Sequence, residues 1–142
     1  MTRMTRQHLP LLLLAGLAAP ALAAGTTSGG NPGDGYTRVY HRCMEAAGGV
    51  TSAMLECIDK ETQVQDARLN RAYRLAQQAL GAEQQSPLRE AQRQWLKYRD
   101  ANCGLYGRLT GGSIDRINGA SCVLEMTKER TENLNGLAEF GG

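Results

Sequence analysis

The sequence predicts an all-α fold, a small disulfide-linked bundle of about four helices, and three observations lead to this prediction. Apolar residues recur at the spacing of one helix face, whereas no alternating run long enough for a strand occurs. Glycine-containing breaks divide the chain into segments of helix length. Four cysteines in a chain of 142 residues are typical of a small exported domain that disulfides hold together.

The start of the chain has the pattern of a secretory signal peptide. Arg3 and Arg6 form its basic start, residues 9–19 form an apolar run, and residues 21–23 are a small-residue cleavage site. We therefore expect residues 1–23 to be removed and the protein to be periplasmic or secreted. The apolar run is about half of the roughly 20 residues that a spanning helix needs, and no cysteine stands where a lipid would be attached. The sequence thus predicts no membrane anchor.

Composition and charge argue against several classes of function. The chain has 16 basic and 14 acidic residues, and loss of the two leader arginines leaves 14 of each, so no positive field favours nucleic acid. His41 is the one histidine outside the leader, and the cysteine spacings contain no C-x-x-C. This argues against a zinc site, a haem attachment motif and a thioredoxin-type redox pair. We expect neither a cofactor nor a metal.

The folded domain is predicted to span residues 36–142. It follows a flexible segment, residues 24–35, which is rich in glycine and small polar residues. A first helix is predicted over residues 36–47, where Gly48 and Gly49 stop it.

A long second helix is predicted to start at a capping Thr51 or Ser52, to reach about Leu80 and to end at Gly81. Its core face groups eight residues at helical spacing. They are Leu55, Ile58, Thr62, Leu69, Ala72, Tyr73, Ala76 and Leu80. Three acidic residues beside Lys60 are predicted to face solvent. They are Glu56, Asp59 and Glu61.

A third helix is predicted to start at Ser86 and Pro87, because the hydroxyl can cap it and proline at the first position loses no needed donor. It ends near Gly107, a glycine-rich loop covers residues 108–119, and a fourth helix runs over about residues 120–137. The apolar stripe of the third helix has five members. They are Leu88, Ala91, Trp95, Tyr98 and Asn102.

Helix geometry selects one of the three possible cysteine pairings. Cys43 precedes and Cys57 follows the glycine turn between the first two helices, so antiparallel packing brings them together. Cys103, late in the third helix, and Cys122, early in the fourth, flank the glycine-rich loop in the same way. Each bridge closes a loop of about 15 to 20 residues, which stabilises the fold by about 3 kcal/mol in the chain-entropy model.

Two spaced motifs, D-x-x-L-N-x-x-Y and Q-x-x-W-x-x-Y-R-D-x-x-C, run through the domain. They and nearby positions comprise Cys57, Asp66, Leu69, Asn70, Tyr73, Gln92, Trp95, Tyr98, Arg99, Asp100, Cys103, Cys122 and Arg130. Together they resemble the LprI-like family, which is named for a lipoprotein inhibitor of lysozyme. The resemblance covers about residues 43–134. It implies a small disulfide-linked helical domain with lysozyme or another cell-wall hydrolase as partner.

Several motif residues also have explanations in packing alone. Asp66 is expected to cap or to pair with a neighbouring helix, for which Arg99 is a candidate, and the alternative is contact with a partner. Trp95 and Tyr98 lie on the apolar stripe, so we expect them in the core rather than stacked on a sugar. Arg99 and the adjacent Asp100 are expected in an interhelix pair, with Arg130 as the alternative cation. We therefore expect these family-motif residues to have a structural role.

An inhibitor needs a protrusion whose backbone is already ordered, because little entropy is then lost on binding. The segment between Cys103 and Cys122 meets this need best. Ser113 presents a hydroxyl, and Asp115 and Arg116 present charges for the polar groups of a hydrolase cleft. The alternative is that the segment only connects two helices.

Together with the predicted leader, the resemblance therefore implies an exported lysozyme-inhibitor-like protein that acts by binding a cell-wall hydrolase. An envelope interaction or stress module without inhibition is the first alternative. A carbohydrate-active enzyme is the second, because paired carboxylates can act on glycans. No spacing singles out one acid and one base, and no nucleophile motif or phosphate loop occurs, so we expect the protein not to be an enzyme.

Overall fold

The computed structural model describes residues 33–141, and four helices account for most of them. They are α1 (Arg38–Ala47), α2 (Thr51–Ala79), α3 (Ala82–Tyr106) and α4 (Ile114–Phe140). The described range contains no strand, so the predicted all-α fold and its number of helices are confirmed. Within that range no helix is both long and apolar enough to cross a membrane. The predicted signal peptide and most of segment 24–35 lie outside the described residues.

The bundle is built on α2 and α4, which pack against each other more extensively than any other pair of helices. They run parallel, because Leu134 packs on the second half of α2 and Gly141 then lies against the backbone of Ala79 at its end. α3 runs antiparallel to α4 and packs mainly on it rather than on α2. The short α1 lies against the first half of α2.

The core lies where the three long helices meet. It is formed by Leu69, Ala72 and Ala76 from α2, Leu88 from α3 and Leu134 from α4. All four of these α2 and α3 residues are buried as the helical spacing predicts. The two alanines carry short side chains, so α4 can approach α2 closely at this level.

The predicted apolar stripe of α3 is only partly confirmed. Leu88 is buried, and Trp95 packs half-buried against the core. Tyr98 is 62% exposed and Ala91 is exposed, so their placement in the core is wrong. α3 has one main neighbour, α4, and a helix covered on one side buries a narrower stripe than a helix between two partners.

α3 also begins earlier than its local signals predict. Its first residue is Ala82, so Gly81 precedes α3, and Pro87 lies inside the helix instead of at its first position. A proline there removes one backbone hydrogen bond. The next residue, Leu88, is buried in the core, and this tertiary contact keeps the segment helical despite the loss.

The start of α2 differs from the prediction in its cap. The helix begins at Thr51, but Val50 occupies the capping position and no side chain accepts a hydrogen bond there. Capping by Thr51 or Ser52 is therefore wrong. The first turns of α2 are held instead by the disulfide at Cys57.

Two polar side chains of α2 are buried, Glu61 and Gln65. Glu61 accepts hydrogen bonds from the backbone N–H and the hydroxyl of Thr37 and from the amide of Gln65. Gln65 also donates to the carbonyl oxygen of Gly35 at 3.1 Å. The prediction that Glu61 faces solvent is wrong because its carboxylate anchors the start of α1, and Gly35 is already docked on α2.

Both predicted disulfides are present. The Cα atoms are 5.7 Å apart in Cys43–Cys57 and 5.4 Å apart in Cys103–Cys122. The first bridge ties α1 to α2, and the second ties the end of α3 to the start of α4. Over residues 33–141 no group of three or more His, Cys, Asp or Glu side chains is arranged to hold a metal ion.

Candidate functional site

The α3–α4 tip, residues 107–116, comprises the loop between these two helices and the first residues of α4. The Cys103–Cys122 disulfide closes it at its base. Gly119 lets the two helices approach, since a Cβ atom there would lie only 3.1 Å from the Cα atom of Gly107. The tip is therefore a short segment held on both sides.

Asp115 organises the tip from within. Its carboxylate accepts hydrogen bonds from the backbone N–H groups of Thr110 at 3.0 Å and Gly111 at 2.8 Å, and from the Thr110 hydroxyl at 2.8 Å. Gly111 has a φ of 77°, a conformation that glycine adopts without a steric cost. Asp115 is buried, so the prediction that it presents its charge to a partner is wrong.

This network also explains why α4 starts at Ile114 and not near residue 120. The glycines and Ser113 are typical of a loop, but Asp115 stands in the first turn of the helix. There its carboxylate satisfies N–H groups of the preceding loop, and a negative charge is favourable at a helix N-terminus. The helix is thereby extended toward the loop.

The order of the tip depends on the charge of Asp115. Desolvation raises the pKa of its carboxyl, but the hydrogen bonds from Thr110 and Gly111 outweigh this, and the pKa lies below the usual value of 3.8. A carboxyl whose pKa is lowered by folding stabilises the folded state fully above the usual pKa. That stabilisation is lost as the pH falls through the lowered pKa.

We expect Asp115→Asn to reduce the hydrogen-exchange protection of the Thr110 and Gly111 amides at neutral pH, because a neutral amide offers one oxygen and a weaker acceptor. In the parent, protection should persist at pH 3.8 and be lost at lower pH. NMR-detected exchange measures both effects, and circular dichroism checks that the helices persist. Equal protection in parent and variant would show that Asp115 does not hold the loop.

The outer surface of the tip combines apolar and polar side chains. Leu109 is 56% and Ile114 is 50% exposed, and Ser113 and Arg116 are exposed beside them. Two of the three predicted binding residues are thus on the surface. Leu109 and Ile114 were not among the predicted binding residues, although two large apolar residues in a glycine-rich stretch were a usable signal. Loops held on a rigid scaffold carry binding residues more often than other segments do, so these exposed side chains are the candidate contact groups of the tip.

Several motif residues form a second cluster, apart from the tip, where α3 faces α2 and α4. Arg99 donates from Nη1 to the Thr127 hydroxyl at 3.2 Å and from Nε and Nη2 to the Asp100 carboxylate at 3.1 and 3.0 Å. Asp66 lies 3.8 Å from Nη1. The predicted Asp66–Arg99 pair is therefore present but loose, and Thr127 supplies the hydrogen bond to α4. Asp100 pairs with Arg99 within α3, so the interhelix pairing expected for Asp100 is wrong.

Two guanidinium groups lie close to the ring of Trp95. Arg99 is 5.2 Å and Arg130 is 5.9 Å from its ring centre, distances at which cation–π attraction operates. Arg130 donates from Nε to Gln92 at 2.9 Å, and burial lowers the pKa of its guanidinium. An amide, not an acidic group, is thus the partner of Arg130. This cluster holds α3 against α4.

The other motif residues divide between core and surface. Leu69 is in the core, and Tyr73 packs against it while its hydroxyl accepts a hydrogen bond from Gln77 at 3.1 Å. Asn70 and Tyr98 are exposed. The motif therefore includes positions that the packing of the helices does not explain.

Known proteins resemble this chain over most of the described range. A family described as Lysozyme inhibitor LprI matches residues 43–134. An uncharacterized protein of Rhizobium meliloti is 34% identical over 97 residues, a match that covers 58% of this chain and 70% of that protein. No solved structure matches. The range matched by the family includes both disulfides, the motif cluster and the α3–α4 tip.

Proposed function

The chain belongs to the LprI lysozyme inhibitor family, and from this membership we propose that it is an exported protein that binds and inhibits a lysozyme or another cell-wall hydrolase through the α3–α4 tip. One observation carries the choice of surface. Leu109 and Ile114 are held exposed on a loop whose backbone is already ordered by Asp115 and closed by a disulfide. The function is binding rather than catalysis.

The tip suits binding because its backbone is already ordered before a partner binds. Association loses entropy when loops and side chains become fixed, and a loop that is ordered beforehand loses less. Burying the two apolar side chains against a partner then contributes to affinity, at roughly 25 cal/mol per Å² of apolar surface. Arg116 adds a positive charge, which suits a glycosidase cleft because such clefts contain paired carboxylates.

The disulfides support an exported location. Such bonds form and persist in the periplasm and outside the cell and are rare in the cytosol. The predicted leader, residues 1–23, fits the same destination. The protein is thereby proposed to act where cell-wall hydrolases act.

We expect Leu109→Ala with Ile114→Ala to weaken inhibition by about 2 kcal/mol, or about thirtyfold, because both anchors of the contact are truncated. Calorimetric binding to several lysozyme types and the rate of cell-wall hydrolysis are to be measured together. Fold stability should change little, since both side chains are already half exposed.

The matched control is Leu75→Ala with Phe140→Ala, which removes apolar groups that are 43% and 91% exposed. Phe140 ends α4, whose 27 residues make it about 40 Å long, so this surface is remote from the tip. The control should inhibit like the parent. If both double variants inhibit equally, the tip is not the contact. Binding without loss of hydrolysis would favour the envelope interaction module, and glycan turnover by the protein alone would favour the enzyme.

A further inference from the structure

A groove of about 480 Å³ separates α2 from α3. It exists because α3 packs mainly on α4, which leaves the facing sides of α2 and α3 apart between the core contact of Leu88 and the loose Asp66–Arg99 pair. Its volume lies in the range of small-molecule sites. The residues of this α2–α3 groove that bear on its chemistry are Asp66, Asn70, Arg89, Gln92, Arg93 and Arg99.

Three arginines and Asp66 line the groove, and acidic residues beside the lining pair with two of these arginines. Arg93 is held by Glu90 at 2.8 Å, and Arg99 by Asp100 at 3.0 Å. Arg89 is exposed and forms no salt bridge or side-chain hydrogen bond with any residue in the range 33–141. Its guanidinium is therefore free to meet a carboxylate, which a planar two-donor edge binds through paired hydrogen bonds.

Two amides add hydrogen-bonding groups without charge. Asn70 is exposed, and its side chain bonds to no other described residue. Gln92 uses its oxygen to accept from Arg130, which leaves its NH₂ group without a partner among residues 33–141. Such groups suit hydroxyl and acetamido substituents. Leu69 and Leu96 supply apolar lining.

We propose that the α2–α3 groove binds a small ligand that carries a carboxylate beside amide and hydroxyl groups, a glycopeptide fragment of the cell wall. Arg89 recognises the carboxylate, and Asn70 and Gln92 bind the sugar or its acetamido group. The cell-wall origin of the ligand rests on the proposed function, because a wall hydrolase releases such fragments. The groove shares no residue with the tip, so each can be tested without the other.

The test is a calorimetric titration of the oxidised protein with N-acetylmuramyl-L-alanyl-D-isoglutamine, which combines an acetamido sugar, peptide bonds and a carboxylate. We expect a Kd of about 1 mM or tighter, and a loss of about tenfold on Arg89→Ala and again on Asn70→Ala. Arg42→Ala is the matched control, since Arg42 is an exposed arginine on α1. It should bind like the parent. The variant that combines Leu109→Ala and Ile114→Ala should also bind like the parent.

Two further probes separate the parts of the ligand. Chitotriose carries acetamido sugars without a carboxylate, and acetyl-L-alanyl-D-isoglutamine carries the carboxylate without a sugar; each should bind about tenfold more weakly than the complete probe. Absence of binding by the parent, or parent-like binding by Arg89→Ala, would overturn the site. Equal binding of the peptide alone would overturn the glycopeptide assignment. The titration contains no hydrolase, so a protein that inhibits no lysozyme still gives a clear result for the groove.

Discussion

Leu134→Ala is expected to lower the free energy of unfolding by about 2 to 5 kcal/mol, the range for emptying a buried leucine site. Leu134 is fully buried in the cluster where the three long helices meet. Its neighbours Ala72 and Ala76 have short side chains that cannot extend into the space left behind. Lost apolar contacts and a remaining cavity therefore both contribute to the effect.

Urea denaturation followed by circular dichroism measures this loss. Leu75→Ala is the matched control on α2, because Leu75 is 43% exposed, and its cost should stay below about 1 kcal/mol. If the two variants are equally stable, Leu134 does not lie in the core that the helix packing indicates.

Removal of the second disulfide, by Cys103→Ala with Cys122→Ala, is expected to cost about 3 kcal/mol of stability. The bridge spans 19 residues of sequence, and its loss leaves the unfolded chain with more conformations. We also expect weaker inhibition, because the opened tip must be ordered when it binds. Urea denaturation and the hydrolysis assay measure the two effects separately.

Cys43→Ala with Cys57→Ala is the control for that experiment. This bridge spans 14 residues, so its loss should cost a similar amount of stability, about 3 kcal/mol, while leaving the base of the tip closed. Inhibition by the folded protein should then match the parent. An equal loss of inhibition in both variants would indicate that global stability, and not the order of the tip, controls binding. Non-reducing peptide mapping of the parent checks both pairings.

Predictions that depend on local geometry succeeded, and predictions that a long-range contact opposes failed. The pairing of the four cysteines was predictable because each pair flanks one short connection between antiparallel helices, and local geometry then brings its members together. The start of α3 was not, since the local signal at Ser86 and Pro87 is outweighed by burial of Leu88. Propensity is a weak guide wherever a long-range contact opposes it.

Among the site residues, exposure was predictable for some side chains and not for others. Ser113 and Arg116 are exposed, as their place in a glycine-rich segment predicts, but Asp115 turns inward to bind the loop. Glu61 is likewise buried against Thr37. A carboxylate can be solvated or can accept backbone hydrogen bonds, and the choice depends on which N–H groups lie within reach. Which N–H groups lie near a given carboxylate is set by the folded chain, so the burial of Asp115 and Glu61 was not predicted.

The all-α class, the cysteine pairing and the family were predictable because periodic spacing, turn residues and motifs are local properties of the chain. Three features became visible only in the packed helices: Tyr98 is exposed, Arg99 and Arg130 lie close to Trp95, and a groove opens between α2 and α3. These features depend on the packing of α3 mainly on α4. The packing partner of α3 is determined by burial of side chains that are distant in sequence. The spacing of residues along one helix does not reveal that partner.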